Sequence, residues 1–263
     1  MTEQEYNKAE GIRRSSLWKM KRSAAHFFYE LNNPPEPTPA LMLGDAVHTA
    51  VLGDYTEFWQ RFAVIGADLR TKTGREARDA ALASGKVILT EDMFQAVDGI
   101  TEAVLDCDPA RRLLAGEHET AYFWTDEPTG EKCKCRTDSE IDLLGEHYIV
   151  DLKTCNDAST EQFMRDAMRY GYHLQAAMYC EGVKTVTGKE SKFVFVAVEK
   201  NPPYAINILQ PGEDFMLAGM DEFRYLLGYY HECKLRHEWP GYAGFDGIVN
   251  ELNLPAWLRK QVE

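Results

Sequence analysis

Tyr148-Ile149-Val150-Asp151-Leu152-Lys153-Thr154 is the stretch on which the reading of the whole chain turns. It is strand-like, and Gly145-Glu146 precedes it as a turn. Side chains alternate along a strand, so Asp151 and Lys153 share one face while Val150 and Leu152 share the other. Taken alone, D-x-K says little, because an amphipathic edge strand with a solvated Asp/Lys pair reads the same way.

The segment before it adds weight. Arg136-Thr137-Asp138-Ser139-Glu140-Ile141-Asp142 leads into a short turn near Leu144–Glu146. A hairpin centred between residues 144 and 145 sets Asp138 opposite Asp151, and one centred between 145 and 146 pairs it with Lys153. Either register keeps Asp138, Asp151 and Lys153 on one face, and parity does not separate Asp138 from Glu140 and Asp142. Two carboxylates on adjacent strands repel unless a cation sits between them. Oxygen ligands of that kind suit Mg²⁺ or Mn²⁺. A lysine beside such an ion can orient a water or neutralise a phosphate under attack.

Working outward, Thr120–Thr125, Lys132–Leu143 and His147–Thr154 read as strands, as do Phe193–Glu199 and Tyr204–Leu209. Helical patterns cover Ser15/Ser16 to Leu31, Ala40–Leu52, Asp68–Ala83, Glu91–Cys107 closed by Asp108-Pro109, Thr160–Val186 and Asp214–Arg236. Pro34, Pro35, Pro37 and Pro39 make a stiff connector. The order predicts an α/β fold, a mixed central sheet flanked by helices, with extra N-terminal helices and a C-terminal helix plus tail. One domain is expected over residues 1–263: a helical part to about 115, a core over about 116–236, and a tail from 237.

Composition narrows the function classes. With 44% apolar and 27% charged residues in 263, disorder and fibrous repeats are excluded. The longest apolar run, Phe193–Val198, is six residues, too short to span a bilayer. The polar, then basic start predicts no signal peptide, and six cysteines point to a reducing compartment. A net charge of −13 argues against a protein coated in nucleic acid by bulk electrostatics. It leaves room for a local basic groove. Gly11–Tyr29 holds five basic residues (Arg13, Arg14, Lys19, Lys21, Arg22) and no acid. Ser15 or Ser16 as N-cap would set free backbone N–H groups beside Arg13 and Arg14, a phosphate site. Arg70, Lys72, Arg75 and Arg78 form a second basic patch, diluted by Asp68, Glu76 and Asp79.

An acid on one strand followed by D-x-K on the next resembles the PD-(D/E)xK nuclease superfamily, and in particular its exonuclease VIII (RecE-type) and RecB-like branch. The likeness includes Gly44-Asp45-Ala46-Val47-His48, Glu119, Cys135-Arg136-Thr137-Asp138 and Asp151-Leu152-Lys153-Thr154. It continues through Tyr172, Gln175 and Tyr179 to Trp239-Pro240-Gly241-Tyr242 and Pro255-Ala256-Trp257. It implies a restriction-endonuclease-like core. It also implies a metal held by Asp138, Asp151, the Leu152 carbonyl and His48, with Lys153 positioning the attacking water. Glu119 matches a family acid that serves a second metal or the water, and Gln175 and Tyr179 border the active site. The DNA-contacting set expected here is Tyr172, Tyr179, Arg13, Arg14, Ser16 and Lys21.

What the resemblance implies overall is a Mg²⁺-dependent deoxyribonuclease, with Mn²⁺ able to substitute, that resects double-stranded DNA ends 5′ to 3′. A RecT-type annealing protein would take the product strand. Phage recombination in a bacterial cytoplasm and a ring-shaped homo-oligomer fit the same picture. The rivals are a structure-specific or restriction-type endonuclease on this fold, and a DNA-binding or assembly module without turnover. A glycosidase-like pair of acids would give Lys153 no task. Cys107, Cys133, Cys135, Cys155, Cys180 and Cys233 contain no C-x-x-C and no four-cysteine spacing. Neither an iron–sulfur cluster nor zinc is expected.

Overall fold

A computed structural model describes residues 1–66 and 70–254. Asp68 and the Pro255-Ala256-Trp257 motif lie outside the described residues. The chain begins with α1 (Glu3–Lys8), α2 (Arg14–Lys19), α3 (Ala24–Asn32), α4 (Pro39–Leu52) and α5 (Tyr55–Arg61). There follow β1 (Phe62–Val64), α6 (Lys72–Ala83), β2 (Val87–Leu89), α7 (Glu91–Asp106) and α8 (Asp108–Leu113). The strand-rich middle is β3 (Glu117–His118), β4 (Ala121–Thr125), β5 (Lys132–Arg136), β6 (Ser139–Leu143) and β7 (Glu146–Cys155). It closes with α9 (Thr160–Tyr170), α10 (Tyr172–Thr187), β8 (Ser191–Glu199), β9 (Ile206–Leu209) and α11 (Glu213–Arg236).

The central sheet has the order β3-β6-β7-β8-β9 and is mixed, with β7 and β8 parallel and the other pairs antiparallel. Alternation along β7 and β8 sends side chains into two separate cores. Ile149, Phe193, Phe195 and Ala197 pack under α10, α11 and the β4–β5 hairpin. Val150, Leu152, Val196 and Val198 pack under α4 and α7. With both faces covered, the two central strands read as near-continuous apolar runs. Asp151 and Lys153 interrupt them.

Four sequence expectations need correction. The stretch Lys132–Leu143 is two strands in different sheets: β5 pairs with β4, β6 with β7, and the chain bends at Thr137-Asp138 between them. Thr160–Val186 is two helices, parted at Gly171 in the left-handed region with φ 73°. A Cβ there would meet the Trp18 ring at 2.5 Å, so only glycine lets α2 lie against this corner. The first helical pattern divides into α2 and α3. Ser15 and Ser16 lie inside α2, whose N-cap is Arg13, which makes no side-chain capping hydrogen bond. Finally, Asp108-Pro109 opens a further helix, α8, because proline is well tolerated in a first turn.

The near part of the tail covers the protein's own core. Trp239 stacks on Phe28 and packs against Phe27 and Tyr230, and Phe245 meets Tyr229. Val249 and Leu252 stand almost fully exposed.

Candidate active site

The bend between β5 and β6 is what frees Asp138. Ser139 pairs with Val150, so the hairpin is centred between residues 144 and 145, the first of the two registers. Just beyond the ladder, Asp138 Oδ2 accepts a 2.8 Å hydrogen bond from the Leu152 amide, pinning its carboxylate at the middle of β7. Glu140 and Asp142 are spent elsewhere. Tyr122 and Thr137 hydroxyls donate to buried Glu140, and Asp142 pairs with Lys189 at the surface.

His48 reaches the same point from α4, where Gly44 leaves the helix close to Thr154. Its Nε2 lies 2.7 Å from the Leu152 carbonyl oxygen, and its Nδ1 lies 3.6 Å from Asp138 Oδ2. Glu119 comes from the β3–β4 corner with φ 57°, a conformation that non-glycine residues rarely adopt. Its Oε2 pairs with Arg136 Nε at 2.6 Å. Burial raises its pKa, against the pull of Arg136. One ligand atom each from His48, Glu119 and Asp138 lie within 4.8 Å of one another.

Asp151 is 1% exposed. Its Oδ1 accepts from the Gln175 amide nitrogen on α10. Its Oδ2 forms an ion pair with Lys153, outside hydrogen-bonding geometry, and has no other partner among the described residues. Burial raises the Asp151 pKa, opposed chiefly by Lys153. The Lys153 ammonium also sits 5.1 Å above the Tyr172 ring. Behind Gln175, Arg14 donates to its amide oxygen at 2.7 Å.

His48, Asp138, Leu152 and Lys153 line a cleft of about 1500 Å³ together with Arg13, Arg14, Glu119, Tyr172 and Tyr179, while Asp151 and Gln175 are buried and do not line it. Of the other expected DNA contacts, Ser16 and Lys21 lie outside that lining, and Lys21 pairs with Glu222 at 2.5 Å. Arg13 is exposed and bonded to Asn7. In the second basic patch, Lys72 pairs with Glu76 and Arg78 with Asp79. Sequence reasoning missed Arg136 as the partner of Glu119. It also missed Arg61, which grips Asp45, one turn before His48, through both carboxylate oxygens. Asp45 stood within a quoted motif, whereas nothing in the sequence singled out Arg61.

The donor chemistry fits a divalent cation. A carbonyl only accepts, so His48 Nε2 must carry hydrogen, and in the neutral ring Nδ1 then presents a lone pair. In that form the lone pair faces a carboxylate oxygen at 3.6 Å with Glu119 close by, an acceptor-against-acceptor contact that a divalent cation relieves. The group assembled here is His48, Glu119 and Asp138. Asp151 is instead engaged by Gln175 and Lys153, and the Leu152 carbonyl by His48.

Residues 14–248 match the PDDEXK-like domain of unknown function DUF3799. The chain belongs to this PDDEXK-like family. Its fold, a mixed central sheet flanked by helices, is of the restriction-endonuclease-like kind. A crystal structure from Eubacterium rectale, named "Putative exonuclease", is similar with a TM-score of 0.68 and 18% identity, over 96% of this chain and 93% of that one. At that identity the likeness shows the fold. A second solved structure, that of SSO0001, has a TM-score of 0.31 and 13% identity over 70% of this chain and 86% of that one, too distant to carry an argument. No curated protein matches.

In this PDDEXK-like protein the role of His48 can be separated from packing. His48→Gln is expected to leave the thermal midpoint within a few degrees, since the ring is partly exposed. It should weaken Mn²⁺ binding roughly 10- to 100-fold, the usual cost of a disturbed metal shell. Calorimetric titration with Mn²⁺ measures this, and unchanged affinity would return His48 to a packing role.

Proposed function

We propose that this chain is a divalent-metal-dependent DNA exonuclease, one catalytic unit acting on the ends of duplex DNA. The observation that carries the reading is the convergence of Asp138, Asp151, Lys153, His48 and Gln175 on the centre of β7, with His48, Asp138 and Lys153 lining one cleft. His48, Asp138 and Glu119, with Asp151 adjoining, are the residues that would hold the metal. Mg²⁺, or Mn²⁺ in its place, supplies charge for the phosphate oxygens and a more acidic bound water.

The protein's own residues do the rest. Lys153, held between Asp151 and the Tyr172 ring, stands where its ammonium can orient a water toward a phosphodiester. Water attacks phosphorus in line, one phosphorus–oxygen bond breaks, and no covalent bond to the protein forms. Arg13, Tyr172 and Tyr179 line the approach. Of the cations that line the cleft, Arg61, Arg136 and Lys153 are already paired with acids, so DNA affinity should fall with salt on a shallow slope.

The resemblance to the exonuclease VIII branch supports the finer reading. Resection runs 5′ to 3′, leaving a strand for a RecT-type annealing protein, in a bacterial cytoplasm during phage recombination. The working form is a ring-like homo-oligomer. No helix among the described residues is long and apolar enough to cross a membrane.

The test is end-labelled linear duplex against covalently closed circles, each with Mg²⁺ and with EDTA. Label should be released from linear duplex only, and only with metal. Nicking of closed circles would favour an endonuclease on this fold. Binding without cleavage would favour an assembly module, and cleavage undiminished by EDTA would sink the metal mechanism.

A further inference from the structure

We infer that Arg14 is a positioning residue: it fixes which way round the Gln175 amide stands, so that the amide nitrogen rather than its oxygen meets Asp151. The argument begins with donor and acceptor inventory. A guanidinium has five N–H donors and no acceptor, so whatever end of an amide touches it must be oxygen. Arg14 touches Gln175 at 2.7 Å. The other end of the same amide is therefore NH₂, and it is the end that reaches buried Asp151.

Arg14 is itself held in place. A second nitrogen donates at 3.1 Å to the carbonyl of Tyr170, at the C-terminal end of α9 where helix carbonyls lack intrahelical partners. The guanidinium also lies 5.8 Å from the centre of the Tyr172 ring. Gly171 lets Trp18, four residues after Arg14, pack onto the corner between α9 and α10, so the helix carrying Arg14 is set against Gln175. Gln175 is 4% exposed, so a flipped amide that loses its partners is costly to leave unpaired. Ionised Asp151 accepts only and by itself favours the NH₂ end; Arg14 anchors the oxygen end, and without that anchor the amide could swing off Asp151 or flip when its carboxyl is neutral.

This role rests on the proposed nuclease only for its catalytic consequence. It differs from a DNA contact, which would act on affinity and not through Gln175. The experiment therefore has a structural and a kinetic arm. In protein labelled with ¹⁵N at glutamine side chains, the Gln175 NH₂ signal is assigned by its loss in Gln175→Met. Arg14→Met should move that signal and raise its solvent exchange at least roughly 10-fold, as expected when a charged hydrogen bond is lost. Arg14→Lys, which keeps a donor, should hold it near the wild-type position. If Arg14→Met does not fold, Arg14→Gln serves, because either end of its amide can face Gln175 and the orientation is no longer dictated.

In the kinetic arm, Arg14→Met should lower kcat roughly 10- to 100-fold with little change in KM. Added to Gln175→Met, it should cost nothing further, because its effect travels through that amide. An unmoved Gln175 signal in Arg14→Met overturns the proposal, and so does an additive loss in the double variant. A wild-type protein without nuclease activity would sink the nuclease reading, while the labelled amide would still decide the role of Arg14.

Discussion

Asp151→Asn protein is expected to fold, to bind duplex DNA as tightly as wild type, and to lose metal-dependent turnover by roughly 10³-fold, the scale of removing one central charge-stabilising group. The substitution is isosteric, and the new amide oxygen can still accept from Gln175. What disappears is the negative charge beside Lys153 and next to the His48, Glu119 and Asp138 group. Two opposed changes set the stability of the variant: the buried charge is removed, and the Lys153 ammonium loses its ion-pair partner. Burial holds the Asp151 pKa above that of an unfolded chain. Its penalty is therefore absent below the unfolded value and grows as pH rises through the folded one. At neutral pH the ionised carboxylate weighs against folding, and asparagine removes that cost. Gel-shift titration in Ca²⁺ or EDTA, single-turnover cleavage in Mg²⁺ and a thermal melt measure the three quantities. Retained turnover would remove Asp151 from the chemistry, and a collapsed melt would make it a structural group.

Phe195→Ala should be the most damaging single change in the core. Phe195 pairs with Asp151 across β7 and β8 and is 2% exposed. Its ring meets Phe193 at 4.9 Å, Phe163 at 5.4 Å and Tyr172 at 5.9 Å. Removing it deletes buried area and leaves a cavity that a two-sided sheet cannot close, a loss of about 3–5 kcal/mol. In a domain of this size the melting temperature should drop on the order of 10 °C. Tyr172, on which the Lys153 ammonium rests, loses a wall as well, so folded Phe195→Ala protein should cut more slowly while keeping its metal dependence. Urea unfolding gives the first number and cleavage normalised to folded protein the second. A loss under about 1 kcal/mol would show that the site tolerates collapse here.

The sequence determined the strand content of the core and the shared face of Asp151 and Lys153, and the resemblance pointed to Asp138 as the acid beside them. Those features depend on alternation and local propensity, which are properties of a few consecutive residues. It also marked His48 and Gln175 through motifs. Four things needed the folded chain. The register that sets Asp138 at Leu152 is one of two that parity allows, and only the Leu144-Gly145 turn with its positive φ values selects it. The bend at Thr137-Asp138 was invisible because propensity runs unbroken from Lys132 to Leu143. The grouping of His48 with Glu119 and Asp138, while Asp151 turns to Gln175 and Lys153, comes from residues up to 127 positions apart in sequence. The basic segment at Gly11–Tyr29 read as a phosphate site or a solvated helix face, and only the folded chain puts Arg14 on the Gln175 amide beside the cleft and Lys21 against Glu222. Charge counts locate cations along a chain. Where each cation points is decided by the elements packed against it, and those meet only when the chain has folded.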